Sequence, residues 1–286
     1  MTSRVVVTLD GVVQDPTAPV LHADDLGAVR GDGVFETILI RDGKACRLDA
    51  HLARLASSAD MLDLDEPDAE AWRAAVSVAV AEWERTGSGE GAMRLYLSRG
   101  RESDSGGAPT GLVTVSEVSE RVARSRAKGV SAMTLSRGYS IDAVETSPWT
   151  LLGAKTLSYA TNMAALRHAA RAGVDDVVFR STEGHVLEGP RSTVLSITGR
   201  RMVTPPVEHG VLRGTTVDAL FEIAGDAGFS TEHAPLRVAD LILADSVWLV
   251  SSVTLAARVH TLDSTTYRER PTDRIVRDLV DTAVMR

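Results

Sequence analysis

Gly153-Ala154-Lys155-Thr156-Leu157-Ser158-Tyr159 is the stretch on which the reading of the whole chain turns. Two segments downstream, Val186-Leu187-Glu188-Gly189 and Leu212-Arg213-Gly214-Thr215-Thr216, supply what a reactive lysine needs. A lysine able to form a Schiff base, a carboxylate able to keep a ring nitrogen protonated, and a hydroxyl- and glycine-rich turn for a phosphate together suit an aldehyde cofactor. Taken singly, each has a plainer reading. Lys155, flanked by Trp149, Leu151, Leu152, Ala154 and Leu157, could be a lysine snorkelling from a strand end. Glu188, beside Val186 and Leu187, could be one half of an arginine ion pair, since an unpartnered carboxylate in an apolar setting is costly. Gly214-Thr215-Thr216 could be a routine helix start, although backbone N–H groups and hydroxyls there also suit an anion.

Composition narrows the function classes. The chain has 286 residues, 44% hydrophobic and 24% charged, with a mean hydropathy of -0.01, as expected of a globular protein of one large or two ordinary domains. No apolar run approaches the length needed to span a bilayer. The N-terminus lacks the layout of a signal peptide, which leads to the expectation of a cytoplasmic protein. Cys46 is the single cysteine, so no internal disulfide or thiolate cluster can form, and it reads as a packed strand residue. The net charge of -8 and the absence of a basic block with interleaved aromatics argue against a nucleic-acid partner. An anionic substrate would have to be captured by local arginines. Seven histidines are scattered, without a pair on one helical face, and no protein-held metal is expected.

Hydrophobic periodicity outlines an α+β protein. Strands are predicted at residues 4–9, 34–40, 45–47, 93–98 and 112–116, with Asp49 capping a helix whose stripe is Leu52, Leu55, Ala59 and Leu62. At about 100° per residue Arg54 projects about 120° from the centre of that stripe, so it is not placed as a core snorkeller. A second helix starts near Pro67 and carries Trp72, Val76, Val80 and Trp83 on one side. Residues 99–107 form a polar, glycine-rich loop. The polar stretch that follows places an N-terminal domain at 1–120, a linker at 121–128 and a C-terminal domain at 129–286. The second half carries strands at 130–135, 177–180 and 194–198, a helix over 158–172, and another opening at Thr215.

The Lys155, Glu188-Gly189, Thr204-Pro205 and Leu212-Arg213-Gly214-Thr215-Thr216 segments, in this order, resemble the class IV aminotransferases, the fold-type IV pyridoxal phosphate enzymes. Arg30-Gly31-Asp32-Gly33-Val34-Phe35-Glu36-Thr37 and His51-Leu52-Ala53-Arg54-Leu55 look like that family's two N-terminal signatures. The resemblance spans residues 21–259. It implies a smaller N-terminal α/β domain, a larger strand-rich C-terminal domain and a homodimer. By the same resemblance Lys155 would carry pyridoxal 5'-phosphate and shuttle the proton, Glu188 would contact the pyridine nitrogen, and Arg54 would grip the phosphate. Ser192, Thr193, Gly214, Thr215, Thr216 and Ser252 would complete the cofactor contacts.

Within the family, Phe35-Glu36-Thr37 is similar to the aminodeoxychorismate lyases, where the threonine hydroxyl would assist proton handling beside the lysine. The branched-chain enzymes usually carry Phe-Glu-Gly. The Arg-x-His carboxylate trap of D-amino acid aminotransferases has no counterpart in residues 99–104. The resemblance therefore implies conversion of 4-amino-4-deoxychorismate to 4-aminobenzoate and pyruvate. An aminotransferase acting on D- or branched-chain amino acids with 2-oxoglutarate is the alternative. Arg30, Phe35, Arg99 and Arg101 are the candidate substrate contacts. Two positions depart from the family pattern: Thr193 stands where asparagine is common, and Val217 where an arginine often follows the Gly-x-Thr turn.

Overall fold

A computed structural model describes residues 3–104 and 106–286. It divides the chain into two compact units, one of residues 1–119 and 154–159, the other of 120–153 and 160–286. In the first unit the order is β1 (Arg4–Thr8), β2 (Val13–Gln14), α1 (Leu26–Val29), β3 (Gly33–Arg41), β4 (Lys44–Ala45), α2 (Leu48–Asp60), α3 (Ala69–Thr86), β5 (Gly91–Ser98) and β6 (Thr110–Glu117). The strands make one antiparallel sheet in the order β2-β1-β6-β5-β3-β4.

Strand alternation gives this sheet two unlike faces. Val34, Ile38, Ile40, Met93, Leu95, Val113 and Val115 lie on one of them and are 0–1% exposed. Trp72 and Trp83 of α3 are fully buried. Phe35, Thr37, Arg94, Tyr96 and Thr114 lie on the other face, paired by register as Phe35↔Tyr96, Thr37↔Arg94 and Arg94↔Thr114. Most of this second face is polar or only partly covered, and it carries the residues of interest below.

In the second unit the order is α4 (Glu120–Lys128), β7 (Val130–Ser136), α5 (Ala143–Thr146), α6 (Ala160–Arg171), β8 (Asp176–Arg180), β9 (Thr193–Thr198), β10 (Arg201–Thr204), α7 (Thr215–Ala224), β11 (Ser230–His233), α8 (Val238–Leu243), β12 (Ser246–Ser251), β13 (Leu255–Leu262), β14 (Thr265–Thr266) and α9 (Pro271–Met285). Its sheet runs β11-β10-β9-β12-β13-β7-β8, with β14 added on β13. The β13/β7, β7/β8 and β10/β11 pairs are parallel. Val178, Val194, Val203, Val247, Leu249 and Val259 form its apolar centre.

Three expectations from the sequence differ from the structure. Residues 121–128, expected as a linker, belong to helix α4, whose Val122 and Ser125 are buried. The polar composition of that stretch is that of an amphipathic helix with a narrow buried side. Residues 154–159 join the first unit, because Thr156 bridges Val34, Phe35 N–H donates to Lys155 O at 3.0 Å, and Leu157 N–H donates to Gly33 O at 2.8 Å. Gly33 permits this approach, since a Cβ there would meet Leu97 O at 2.4 Å and Leu157 Cδ1 at 2.7 Å. Asp49 sits in the first turn of α2, while the cap is Arg47, left-handed at φ 55°. Among the described residues no helix is long and apolar enough to cross a membrane.

One buried ion pair fastens α9 to the second sheet. Arg258 Nε on β13 donates to Asp273 Oδ2 at 2.7 Å, with side chains 8% and 0% exposed. Asp273→Ala strands a buried guanidinium and should lower unfolding stability by about 3–5 kcal/mol. Urea denaturation followed by far-UV circular dichroism measures this. Replacing both partners together, as Arg258→Met with Asp273→Leu, should recover most of the loss.

Candidate active site

Lys155 lies in the first unit, on the partly covered face of its sheet. Its backbone is held on both sides: the carbonyl accepts from Phe35 N–H, and the N–H donates to Ser58 Oγ of α2 at 3.1 Å. Its Nζ lies 4.6 Å from the centroid of the Phe35 ring, within cation–π range. The other two lysines of the chain, Lys44 and Lys128, are exposed, whereas Lys155 is half-buried. Of the flanks that read as apolar, Trp149 is 75% exposed, while Leu151, Leu152, Ala154 and Leu157 are partly buried. Phe35, brought in by the β3 pairing, adds an aromatic ring beside Nζ. Thr37 shares the Phe35 face by strand alternation, so its hydroxyl is presented on the same side of β3 as the lysine.

Arg54 lies one turn before Ser58 on α2. Its Nε donates to Glu36 Oε1 at 2.7 Å and its Nη2 to Glu36 Oε2 at 2.8 Å. His51 Nδ1 is 2.7 Å from the same Oε2, and Thr37 N–H donates to it at 3.1 Å. Burial pushes the Glu36 carboxyl up, but the charge of Arg54 and the hydrogen bonds from Arg54 and His51 outweigh it and hold the group well below the usual carboxylate range. Burial pushes His51 down, against its hydrogen bond to Glu36. The pair therefore sits as a carboxylate and a neutral imidazole.

The second unit gathers the other candidates. Glu188 Oε2 accepts from Leu212 N–H at 3.1 Å, which ties the carboxylate to the Gly-Thr-Thr segment. Its charge, after burial, pushes the Tyr139 phenol up. Gly189 and Ser192 face each other across an isolated bridge. Thr193 opens β9, and a Cβ on Gly214 would lie 2.4 Å from Thr193 Oγ1, so only glycine fits there. At the start of α7 the hydroxyls of Thr215 and Thr216 lie 3.4 and 3.5 Å from Ser252 Oγ. Three hydroxyls beside the first-turn N–H groups of a ten-residue helix form a donor set suited to a phosphate. Val217, at the position where the family often has arginine, is 1% exposed and packs in the core. Among the described residues no group of three or more His, Cys, Asp and Glu is arranged to hold a metal.

The three arginines expected to meet the substrate are each engaged by a carboxylate of the chain. Arg99 is held by Asp32 at 2.8 Å and by the carbonyls of Leu62 and Asp63, which makes it a tie at the end of α2. Arg101 pairs with Asp24 at 3.0 Å, and Arg30 with Glu102 at 2.7 Å. Sequence reasoning missed Arg94. It stands opposite Thr37 on β5, with Cζ 5.5 Å from the Phe35 ring centroid, and among the described residues no carboxylate lies within ion-pair distance of it. The signal was an arginine on the polar alternation of Met93 to Ser98; its cross-strand partner only the register reveals. Glu36 and His51 were also missed, although a carboxylate inside an apolar strand required a buried partner.

The family model described as "Amino-transferase class IV" matches residues 33–262. The chain belongs to the class IV aminotransferases. A bifunctional aminodeoxychorismate lyase / D-amino acid transaminase of Mycobacterium tuberculosis is 54% identical over 98% of this chain and 99% of that protein. The solved structure of a hypothetical aminotransferase from Mycobacterium tuberculosis in its PLP-bound form superimposes with a TM-score of 0.96 at 55% identity, covering 99% of each chain. A second form of it contains alpha-ketoglutarate and PMP. A fold IV transaminase from Curtobacterium pusillum gives a TM-score of 0.92 at 42% identity, over 99% of this chain and 100% of that one. The chain is thus an enzyme of the two-domain, α+β fold-type IV architecture, and its family's cofactor is pyridoxal phosphate.

The Glu36–His51 pair sets an acid response. His51 has a folded pKa lowered from 6.5 and Glu36 one lowered from 4.5, so for both the unfolded chain takes up protons more readily. Their stabilising contribution is complete above about pH 6.5 and should be lost first as pH falls below 6.5, through His51, then below 4.5, through Glu36. Thermal melts of the apo-protein from pH 8 to pH 4 measure it, and His51→Gln should remove the first part of the decline.

Proposed function

We propose that the protein is a pyridoxal phosphate-dependent 4-amino-4-deoxychorismate lyase that also transfers amino groups from D-amino acids. The observation that carries the lyase reading is the placement of Thr37, whose hydroxyl shares the Phe35 face of β3 with Lys155 Nζ. The Mycobacterium tuberculosis relative, which carries both activities in its name, supports the pair of reactions. That name also makes the absence of histidine from residues 99–104 a poor guide to D-amino acid activity. The relative's form with alpha-ketoglutarate and PMP supports 2-oxoglutarate as amino acceptor.

When bound, the cofactor supplies an electron sink for the bond being broken. The residues of this chain supply position and proton transfer. Lys155 is the attachment point and then the base that takes the C4 proton of aminodeoxychorismate at Nζ. Thr37 steadies that proton, and departure of the enolpyruvyl oxygen leaves an aromatic ring, giving 4-aminobenzoate and pyruvate. Arg54, in the first unit, would grip the phosphate; in the second unit Thr215, Thr216, Ser252 and the backbone at Gly214 would offer it hydroxyl and N–H donors, with Thr193 against Gly214 and Ser192 preceding it in the chain. Glu188 keeps the pyridine nitrogen protonated. Arg94 takes a substrate carboxylate beside Phe35, in preference to Arg99 and Arg101, whose guanidinium groups are already engaged; Arg30, in an ion pair whose side chains are 65% and 52% exposed, exchanges partners more readily. The reading includes a homodimer in the cytoplasm, and the lone, buried Cys46 suits a reducing compartment.

A paired assay tests the proposal. Aminodeoxychorismate should yield 4-aminobenzoate and pyruvate, and D-amino acids with 2-oxoglutarate should yield D-glutamate. Transamination without any 4-aminobenzoate overturns the lyase assignment. Thr37→Val should lower lyase turnover more than transamination. Arg94→Ala should raise KM for aminodeoxychorismate by about 10- to 100-fold, the worth of one charge-assisted hydrogen bond, while Arg101→Ala leaves it within about twofold of the parent.

A further inference from the structure

Glu36 lies between Phe35 and Thr37 in the chain but points to the opposite side of β3, where its carboxylate is fully buried. Both oxygens are engaged. Oε1 accepts from Arg54 Nε, and Oε2 accepts from Arg54 Nη2 and Thr37 N–H and is joined to His51 Nδ1. A guanidinium is planar, so two bonds along one edge fix the plane and heading of the whole group. We infer that Glu36 is a positioning residue for the cofactor phosphate: it never touches the phosphate, but it sets the direction in which Arg54 presents its donors. This rests on the reading of Arg54 as a phosphate ligand.

Charge alone predicts the reverse effect. A carboxylate beside Arg54 cancels much of the positive charge that would attract a phosphate dianion, so neutralising Glu36 should strengthen phosphate binding if attraction were what mattered. If orientation matters, the same change weakens it. Glutamine has nearly the shape of glutamate but turns an NH2 group toward donors that need an acceptor, which breaks the two-pronged contact. The sign of the effect therefore separates the two accounts. The network reaches the lysine as well, because α2 carries His51 and Arg54 to Glu36 and Ser58 to the Lys155 backbone.

The test uses full-length apo-protein prepared from the holoenzyme and titrated with pyridoxal 5'-phosphate and, separately, with pyridoxal, which lacks the phosphate. The ratio of the two affinities isolates the phosphate grip, whereas general damage to the fold weakens both ligands. Arg54→Ala should collapse the ratio. Glu36→Gln should lower it by about tenfold or more, which is about 1.4 kcal/mol, with pyridoxal affinity within about twofold of the parent. The double variant should be no worse than Arg54→Ala. A ratio unchanged or raised in Glu36→Gln, with Arg54→Ala still collapsing it, overturns the role of Glu36 alone. An unchanged ratio in Arg54→Ala overturns the reading of Arg54 and this inference with it. Should Glu36→Gln fail to fold, Arg54→Lys keeps the charge and loses the two-pronged contact; a ratio as low as in Arg54→Ala supports the inference, and a parental ratio overturns it.

Discussion

The backbone of residues 154–159 is hydrogen-bonded to the start of β3, and the rest of the site in the first unit depends on that pairing. Phe35 N–H to Lys155 O and Leu157 N–H to Gly33 O leave the lysine no freedom to slide along the strand. Ser58 closes the other side by accepting from the Lys155 N–H. A nucleophile on a long, flexible side chain is thereby attached to a rigid base, the condition under which a small displacement of a reacting atom stays small. Gly33 makes the pairing possible, because any side chain there would collide with Leu97 O and the Leu157 side chain.

β3 then divides labour between its two sides. Phe35 and Thr37 face the lysine, while Glu36 faces α2 and clasps Arg54 and His51. Three consecutive residues thus connect the lysine's surroundings to the arginine assigned to the phosphate. A buried carboxylate is tolerated here only because four donors converge on it. In the second unit the comparable device is smaller: Glu188 is fixed by a backbone N–H from the segment that opens α7, and Gly214 fits only because it has no side chain to meet Thr193.

Much of this was legible in the sequence, for physical reasons that can be named. Lysine, Glu-Gly and Gly-Thr-Thr segments are local, and their chemistry is carried by residue type. The off-stripe angle of Arg54 follows from helix geometry alone. What the sequence did not disclose was pairing across distance. The 154–159 segment had no strand signature, because two backbone hydrogen bonds and one bridge to β3 fix it without a regular ladder. Arg99 and Arg101 looked available for substrate because Asp32 and Asp24 lie far from them in the chain. Arg94 gained its interest only from the register that sets it against Thr37. The stretch 121–128 looked like a linker because a helix with two buried residues is mostly polar.

The central claim is that Lys155, presented from the first sheet over Phe35, carries the cofactor. The chain has three lysines, and Lys44 and Lys128 are exposed at a hairpin and a helix end. Borohydride reduction of the holoenzyme followed by peptide mass mapping distinguishes them directly. The account predicts one phosphopyridoxyl group, on the peptide containing Lys155, and none after Lys155→Ala. A label on Lys44 or Lys128, or no label on any lysine of a fully loaded protein, would contradict it.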